Sequence, residues 1–323
     1  MSAVENCEPL AKRQRTEDAS LSSATRHDTH WYRDGSIVLH VEDMLFRVHQ
    51  TTLEKFSEVF RDLFAVPQPE GEEQVDGCPV VRLQADKSLH WEHLLDAIYD
   101  PLHFFTLESQ NRNDKIARLS SILRLATKYR IVVFRQKCIT MFSKHFPTAD
   151  VFACNLHDLP SIPQAADVLQ LGRTTNALTL LPFAFLRLAL IPNKEILYYL
   201  QIAKEDKLAL YRGLLELLTA RNKDVYPFVF AFTPTDGCRA SPSCTIRGFG
   251  DLPASVDNIH FFALKAEFAF MQTVLCESCY ESIGSTFLAG RQKTWERLPE
   301  IFDLGKDWDE LRRIQNYDSE LPP

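Results

Sequence analysis

Between residues 36 and 64 the spacing of apolar residues changes from that of β-strands to that of an α-helix. This change limits the possible folds more than any other feature of the sequence. Residues 36–41 are apolar and rich in β-branched side chains, an acidic pair follows, and residues 44–48 are apolar again. Two short apolar runs around a polar turn predict a β-hairpin. The next apolar side chains recur at helical spacing, which predicts an amphipathic helix. They are Leu53, Phe56, Phe60, Leu63 and Phe64.

One more strand and three more helices are predicted before residue 146. Residues 80–83 predict a third strand. Helical apolar stripes follow at residues 89–98, 116–126 and 131–142. Residues 101–113 lack such a stripe and predict a loop. The order β-β-α-β-α-α-α predicts an α+β fold, in which a small three-stranded sheet is capped by a helical cluster.

A spaced set of residues on these elements resembles a known family. Phe46 and His49 form a Phe-x-x-His motif after the hairpin, and further residues of the family pattern follow in register. The full set comprises Phe46, His49, Leu53, Ser57, Phe60, Leu95, Tyr99, Ala126, Tyr129, Ile131 and Cys138. Through these residues the segment 30–146 resembles the BTB/POZ domain family.

The resemblance implies both a fold and a class of function. A BTB/POZ domain is a small sheet capped by a helical cluster, and it binds other proteins rather than catalysing a reaction. The chain is therefore expected to be a non-catalytic adaptor or scaffold that works through protein partners. Docking to a cullin-type scaffold is implied by analogy of fold alone, and its residues would lie in the loop predicted at 101–113.

The sequence departs from the family at positions that matter for self-association. Family members that dimerise through a charged pocket carry an Asp that opens the first strand and a basic residue after the His, where this chain has Ser36 and Gln50. Residues 15–30 also lack the apolar stripe of the long N-terminal helix that completes such a dimer. The charged-pocket dimer is therefore not expected, and other oligomeric states stay open.

The N-terminal residues 1–29 contain no aromatic side chain and many charged and hydroxyl side chains, which predicts a disordered tail. A short basic run at Lys12, Arg13 and Arg15 has two interpretations. It is either a nuclear import signal or part of a solvated tail, since acidic residues follow at once. Import would make the chain a nuclear, transcription-associated regulator that acts through protein partners, which is the alternative function.

Charge and hydropathy limit the other partners. The chain has 36 Lys and Arg against 43 Asp and Glu, a net charge of −7, which argues against direct binding to nucleic acid. Its start has no apolar secretory segment, and the most apolar stretch, residues 178–200, is interrupted by prolines and charges. We expect an intracellular protein, cytoplasmic or nuclear, without a membrane partner.

Two further regions follow the predicted BTB/POZ domain. Leucine-rich stripes predict a helical region at 147–232, packed on that domain. Residues 233–323 are predicted to hold a cysteine-paired loop and C-terminal helices, which begin near residues 257, 281 and 307. The paired cysteines and the helix with Trp308 resemble a fungal subgroup of BTB/POZ proteins.

Four cysteines form the strongest candidate site. Cys238 and Cys244 are separated by five residues, and Cys276 and Cys279 by two. Zinc prefers four ligands in a tetrahedron, so two cysteine pairs can close a structural Zn²⁺ site. A zinc–sulfur bond of about 2.3 Å places such sulfurs roughly 3.5–4 Å apart. Two alternatives stay open: four ordinary buried thiols, or a redox pair at Cys276 and Cys279.

The sequence offers no other chemistry for an enzyme. The redox pair would define a thiol–disulfide enzyme, but such enzymes place the motif in a βαβ setting, and helices are predicted on both sides here. No glycine-rich phosphate loop is present. His49 at the start of a helix is expected to make structural hydrogen bonds, and Phe104 and Phe105 either pack locally or contact a partner.

Overall fold

The structure is a computed structural model that describes residues 21–66, 73–100, 102–148, 159–190, 201–240, 243–246, 271–272 and 274–320. The chain divides into two compact units, Met1–Pro101 (unit 1) and Leu102–Pro323 (unit 2), and each is described by itself. The basic run at residues 12–15 and the start of the helix predicted near residue 257 lie outside the described residues.

Unit 1 is built on a five-stranded mixed sheet with the strand order β1-β3-β2-β5-β4. β2 and β3 form the antiparallel hairpin, while β1 runs parallel to β3 and β5 runs parallel to β2. The elements are β1 (Thr25–Trp31), β2 (Ile37–Val41), β3 (Met44–Val48), α1 (Gln50–Phe56), α2 (Glu58–Ala65), β4 (Gln74–Val75), β5 (Cys78–Arg82) and α3 (Ser88–Tyr99).

The predicted hairpin is confirmed, but the sheet is larger than predicted. Glu42 adopts φ 54° in the turn between β2 and β3, which a two-residue hairpin loop requires. β1 begins at Thr25 and therefore contradicts the predicted disorder for residues 25–29. The two-residue strand β4 is also absent from the prediction, because it is too short to show a pattern.

The helix predicted across residues 53–64 is two helices, α1 and α2, which meet at Ser57. Ser57 has extended backbone angles, φ −127° and ψ 121°, so no helix can pass through it. Its Oγ accepts a hydrogen bond from the Phe60 N–H at 3.1 Å and caps α2. The apolar spacing continues across this break, and the sequence pattern therefore conceals it.

The predicted core of unit 1 is confirmed. Phe46, Leu53, Phe60 and Leu95 are all buried, with at most 1% of their surface exposed. The edge of Trp91 packs on Phe60 with ring centroids 5.8 Å apart. These aromatic and aliphatic side chains fill the space between the sheet and the helices of unit 1.

Histidine rings take the place of aliphatic side chains on β1. The His27 ring stacks on Phe46, with centroids 4.9 Å apart, and on His30 at 5.1 Å. The His27 Nδ1 accepts hydrogen bonds from the backbone N–H groups of Thr29 and His30, at 3.2 and 3.1 Å. The buried His30 places Nε2 3.0 Å from the Asp96 carboxylate on α3. These contacts hold β1 against the rest of unit 1.

Burial lowers the pKa of His30 below its usual value, although the hydrogen bond to Asp96 opposes the change. The unfolded chain therefore binds this proton more tightly, and the free energy of unfolding should fall as pH drops below about 6.5. One proton limits the slope to about 1.4 kcal/mol per pH unit. We expect His30→Gln to flatten this part of the profile in chemical denaturation between pH 7.5 and 5.5. An equal slope in both proteins would contradict the assignment to His30.

The regular elements of unit 2 are all helical among its described residues, and turns and coil join them. Its elements are α4 (His103–Glu108), α5 (Arg112–Lys128), α6 (Val132–Phe142), α7 (Ile162–Thr174), a 3₁₀ turn (Leu178–Leu180), α8 (Leu181–Ala189), α9 (Lys204–Ala220), a π-helix (Arg221–Val225), α10 (Pro227–Phe230), α11 (Glu277–Glu296), α12 (Leu298–Ile301) and α13 (Trp308–Glu320). None of the helices described in either unit is long and apolar enough to cross a membrane.

The predicted loop at residues 101–113 is wrong for most of its length, because α4 occupies its centre. Only two residues of α4, His103 and Leu107, are buried, and such a short helix shows no apolar stripe in the sequence. Asn111 then caps α5 by accepting a hydrogen bond from the Asp114 N–H at 3.1 Å.

The later helices of unit 2 pack directly on α5 and α6. Arg135 of α6 is buried and donates hydrogen bonds to the carbonyl oxygens of Thr175 and Asn176 after α7, at 3.1 and 3.0 Å. The edge of Phe146 packs on Phe183 of α8 with ring centroids 5.9 Å apart. Buried polar and aromatic contacts thus join α6 and the residues after it to α7 and α8.

Helix α11 approaches the π-helix closely at one glycine. A Cβ atom on Gly290 would overlap the carbonyl group of Asp224 and the Cα atom of Val225. Backbone atoms cannot turn away as a side chain can, so this contact requires glycine. Lys293, less than one turn along α11, pairs with the Asp224 carboxylate at 2.7 Å.

Candidate functional site

The structure brings the four predicted cysteines together. Cys238 and Cys244 lie in the coil after α10, while Cys276 is the N-cap of α11 and Cys279 lies in its first turn. Their sulfur atoms all lie within 4.8 Å of one another. The Sγ atoms of Cys238 and Cys276 are 3.7 Å apart, inside the range expected around zinc.

Short turns hold the first cysteine pair in place. The Cys238 N–H donates to the Thr235 carbonyl oxygen at 2.9 Å, and the Cys244 N–H donates to the Ala240 carbonyl oxygen at 3.3 Å. Each cysteine thus ends a separate turn, and the two turns face the start of α11. The first turn comes before Cys238, so the spacer of five residues has to accommodate only the second, and the wider pair can still converge.

Backbone N–H groups point at the sulfurs. The Cys276 N–H donates to the Cys244 Sγ at 3.1 Å. The N–H groups of Ala240 and Cys279 donate to the sulfurs of Cys238 and Cys276. Such donors stabilise the negative charge of thiolates, and four thiolates around a divalent ion keep a net charge of −2. The donor set therefore suits a metal-bound thiolate cluster.

The thiols of the cluster differ in acidity. The N–H group of Cys279 and the neighbouring thiols lower the pKa of Cys276 to about 6, against the effect of burial. The Ala240 N–H acts in the same direction on Cys238, but burial and the surrounding thiols outweigh it and raise that pKa to about 12. The thiol with the lowered pKa thus lies at the amino end of α11, where the Cys279 N–H faces its sulfur.

The cluster can hold a metal ion, and its closed ligand set points to a structural role. Four sulfur ligands leave no coordination position for water, which a catalytic metal needs. The redox alternative requires Cys276 and Cys279 to act as an isolated pair. Cys276 instead contacts a sulfur of the other segment, and Cys279 lies 3.6 Å from the Thr235 hydroxyl group. Sequence spacing contains no sign of the Thr235 contact.

His49 makes the structural hydrogen bonds that its position predicts. Its Nδ1 lies 3.0 Å from the Tyr99 hydroxyl group, and its Nε2 lies 3.2 Å from the Asp34 carboxylate. The Tyr99 hydroxyl also accepts the His49 backbone N–H at 3.0 Å. Both ring nitrogens therefore hold the start of α1 rather than a substrate.

Phe104 and Phe105 have different roles. Phe104 stacks on Phe134 of α6 with ring centroids 5.7 Å apart, whereas Phe105 is 68% exposed. Two further apolar side chains, Leu102 and Val133, are more than 60% exposed, and we call Leu102, Phe105 and Val133 the Phe105 patch. Lys137, one turn after Val133, places Nζ 5.8 Å from the centre of the Phe105 ring. The loop prediction conceals this patch, since it leaves α4 out.

A mixed sheet followed along the chain by a helical cluster is an α+β architecture. Residues 34–146 match the family model of the BTB/POZ domain, so this segment of the chain is a BTB/POZ domain. The predicted family and fold class are thereby confirmed, and BTB/POZ domains are protein-interaction modules. No curated protein sequence matches the chain.

Proposed function

We propose that this protein is a non-catalytic adaptor or scaffold that binds protein partners through its BTB/POZ domain. The observation that carries the proposal is the family match at residues 34–146, together with an exposed apolar patch inside the matched range. Aromatic side chains, phenylalanine included, are enriched in protein interfaces. Phe105 is such a side chain, and α4 presents it to solvent.

Phe105→Ala is expected to weaken the binding of BTB-dependent partners by about tenfold or more, which corresponds to about 1.4 kcal/mol. The measurement is quantitative co-purification with the tagged full chain, followed by titration of the partners recovered. Leu215→Ala is the matched control, because Leu215 on α9 is 65% exposed but lies outside residues 34–146. Partner recovery that is equal for wild type and Phe105→Ala would contradict a role for this surface. A full chain that recovers no partner reproducibly would contradict the adaptor function.

A cullin-type scaffold is one partner that the proposal includes, by analogy of fold alone. The Phe105 patch lies within residues 101–113 and at the start of α6, and the first of these ranges is where docking residues are expected. Titration of a purified cullin against the full chain and Phe105→Ala tests this partner directly.

We also propose that the chain does not form the charged-pocket dimer. Ser36 and Gln50 are joined locally, since the Gln50 N–H donates to the Ser36 Oγ at 3.0 Å, and neither side chain carries a charge for a partner. Sedimentation of the full chain at micromolar concentration is expected to show no dimer that depends on these residues. A tight dimer that Ser36→Arg dissociates would contradict this expectation.

We propose Zn²⁺ as the ion held by Cys238, Cys244, Cys276 and Cys279. Tetrahedral sulfur sites accept zinc or iron, and a closed mononuclear set in a structural position is characteristic of zinc. The bound ion would tie the coil after α10 to the amino end of α11. That coil is poor in apolar side chains, so the metal would supply the stabilisation that burial does not.

A further inference from the structure

Two of the four cysteines are buried and two are half-buried, and each sequence pair contains one of each kind. Cys244 and Cys279 are buried, with 4% and 1% of their surface exposed. Cys238 and Cys276 are half-buried. One cysteine from each segment is therefore partly open to solvent, and the sulfurs of these two residues are the pair that lies 3.7 Å apart.

We propose that Cys238 and Cys276 form a site of reversible oxidation, where a hydroperoxide converts the two thiolates into a disulfide that joins the coil to α11. This inference rests on the proposed zinc centre in one respect: the disulfide is the metal-free state of that centre. It assigns to the cluster a redox modification in addition to its structural role.

The chemistry requires hydrogen peroxide as the oxidant and proceeds in two steps. The Cys276 thiolate attacks one peroxide oxygen, a sulfur–oxygen bond forms, the oxygen–oxygen bond breaks, and hydroxide leaves. The Cys238 thiolate then attacks the Cys276 sulfur, the disulfide forms, and a second hydroxide leaves. The two sulfurs lose two electrons in total, and with two protons the peroxide becomes two water molecules. A metal ion held by the four cysteines would lose two thiolate ligands in this reaction and would be released.

Geometry favours the cross-segment disulfide over the two local ones. A disulfide bond is about 2.05 Å long, so the Cys238 and Cys276 sulfurs must approach by about 1.7 Å. Cys238 lies in coil rather than in a helix, and a side-chain rotation with a small backbone shift supplies this movement. Cys279 is fixed in the first turn of α11 and Cys244 is buried, so both are poorer second nucleophiles.

The cross-segment bond has a consequence that a local disulfide lacks. It keeps the coil attached to α11 after the metal has left, whereas disulfides within each pair would release the coil. Oxidation would thus replace metal coordination by a disulfide bond as the link between the coil and α11. The predicted outcome is loss of metal without loss of attachment.

The test treats reduced, zinc-loaded full chain with hydrogen peroxide and follows zinc release with a chromogenic chelator. Peptides are then mapped without reduction after digestion with trypsin and a glutamate-specific protease. Cleavage after Arg239 separates Cys238 from Cys244, and cleavage after Glu277 separates Cys276 from Cys279. The expected product is a peptide pair linked through Cys238 and Cys276, in several-fold excess over either local disulfide. Buried Cys138, in its own peptide, should stay reduced and serves as an internal control.

A product dominated by Cys276–Cys279 or Cys238–Cys244 disulfides would overturn the proposal, as would zinc release without any disulfide. Limited proteolysis gives an independent readout, since the coil should stay protected in oxidised wild type and become cleavable in oxidised Cys238→Ser. Metal analysis of the reduced chain separates the two proposals. If the reduced chain holds no zinc but the Cys238–Cys276 disulfide forms, only the proposed metal centre is contradicted. If the chain holds zinc but a disulfide forms within one sequence pair, only the oxidation proposal is contradicted.

Discussion

Cys276→Ser is expected to reduce the metal content of the reduced full chain from about one ion per chain to near zero. Cys276 contributes a sulfur at the centre of the cluster, where it contacts Cys238 and receives the Cys279 N–H. A serine hydroxyl group stays protonated near neutral pH and is a poor zinc ligand. Elemental analysis of wild type and variant, both purified under reducing conditions, measures the change directly.

Loss of the ion should have a local effect on structure, because metal binding at such sites is coupled to folding of the residues that supply the ligands. Hydrogen exchange is expected to accelerate in the coil around Cys238 and Cys244 and in the first turn of α11. The amides of β2 and α3 in unit 1 should keep their protection. A strong chelator added to wild type should reproduce the pattern.

Cys78→Ser is the matched control for the metal measurement. Cys78 lies on β5, is buried, and places its sulfur 3.2 Å from the Gly35 carbonyl oxygen, a contact that a serine hydroxyl can make. Its metal content should equal that of wild type. Reduced wild type without metal, or Cys276→Ser with a full equivalent, would contradict the zinc proposal.

Phe60→Ala is expected to lower the free energy of unfolding by about 3–5 kcal/mol, the usual cost of truncating a buried aromatic side chain. Phe60 is fully buried, stacks on Phe64 and receives the edge of Trp91. Its removal would leave a cavity beside Trp91 of α3. Chemical denaturation followed by tryptophan fluorescence measures the change, since Trp91 reports on the same core.

Leu63→Ala provides the control on the same helix. Leu63 is 38% exposed and alanine favours helices, so the expected change is below about 1 kcal/mol. Phe60→Leu should lie between the two, because it preserves most of the buried volume. A cost for Phe60→Ala as small as that for Leu63→Ala would contradict the assignment of Phe60 to the core.

The parts of the fold that can be predicted from the sequence are those with local patterns. The hairpin is visible because its two apolar runs flank an acidic turn, and Phe46, Leu53 and Phe60 are visible because spacing and family pattern agree. β1 is hidden because it pairs with β3 across 19 residues of chain, from Thr25 to Met44, and packs through His27 and His30. A histidine ring that stacks on other rings can fill a position usually taken by an apolar side chain, but a hydropathy pattern counts histidine as polar.

The candidate site is predictable in its residues but not in its construction. Two cysteine pairs suggest a common centre, yet their spacing cannot determine whether the pairs meet, since 31 residues separate Cys244 from Cys276. Only the three-dimensional structure shows which N–H groups point at the sulfurs and how unequally the four thiols are exposed. The Phe105 patch escapes prediction for a different reason, because α4 is too short to produce a helical stripe.

The close contact at Gly290 sets how α11 can move. Cys276 lies 14 residues before it, about 21 Å along the axis at 1.5 Å per residue. At Gly290 the backbone of α11 lies against Asp224 and Val225 with no room for a Cβ atom. The helix that supplies Cys276 and Cys279 at its amino end is thus anchored to the π-helix farther along, and a larger residue at position 290 would have to displace the same helix that carries two of the four thiols.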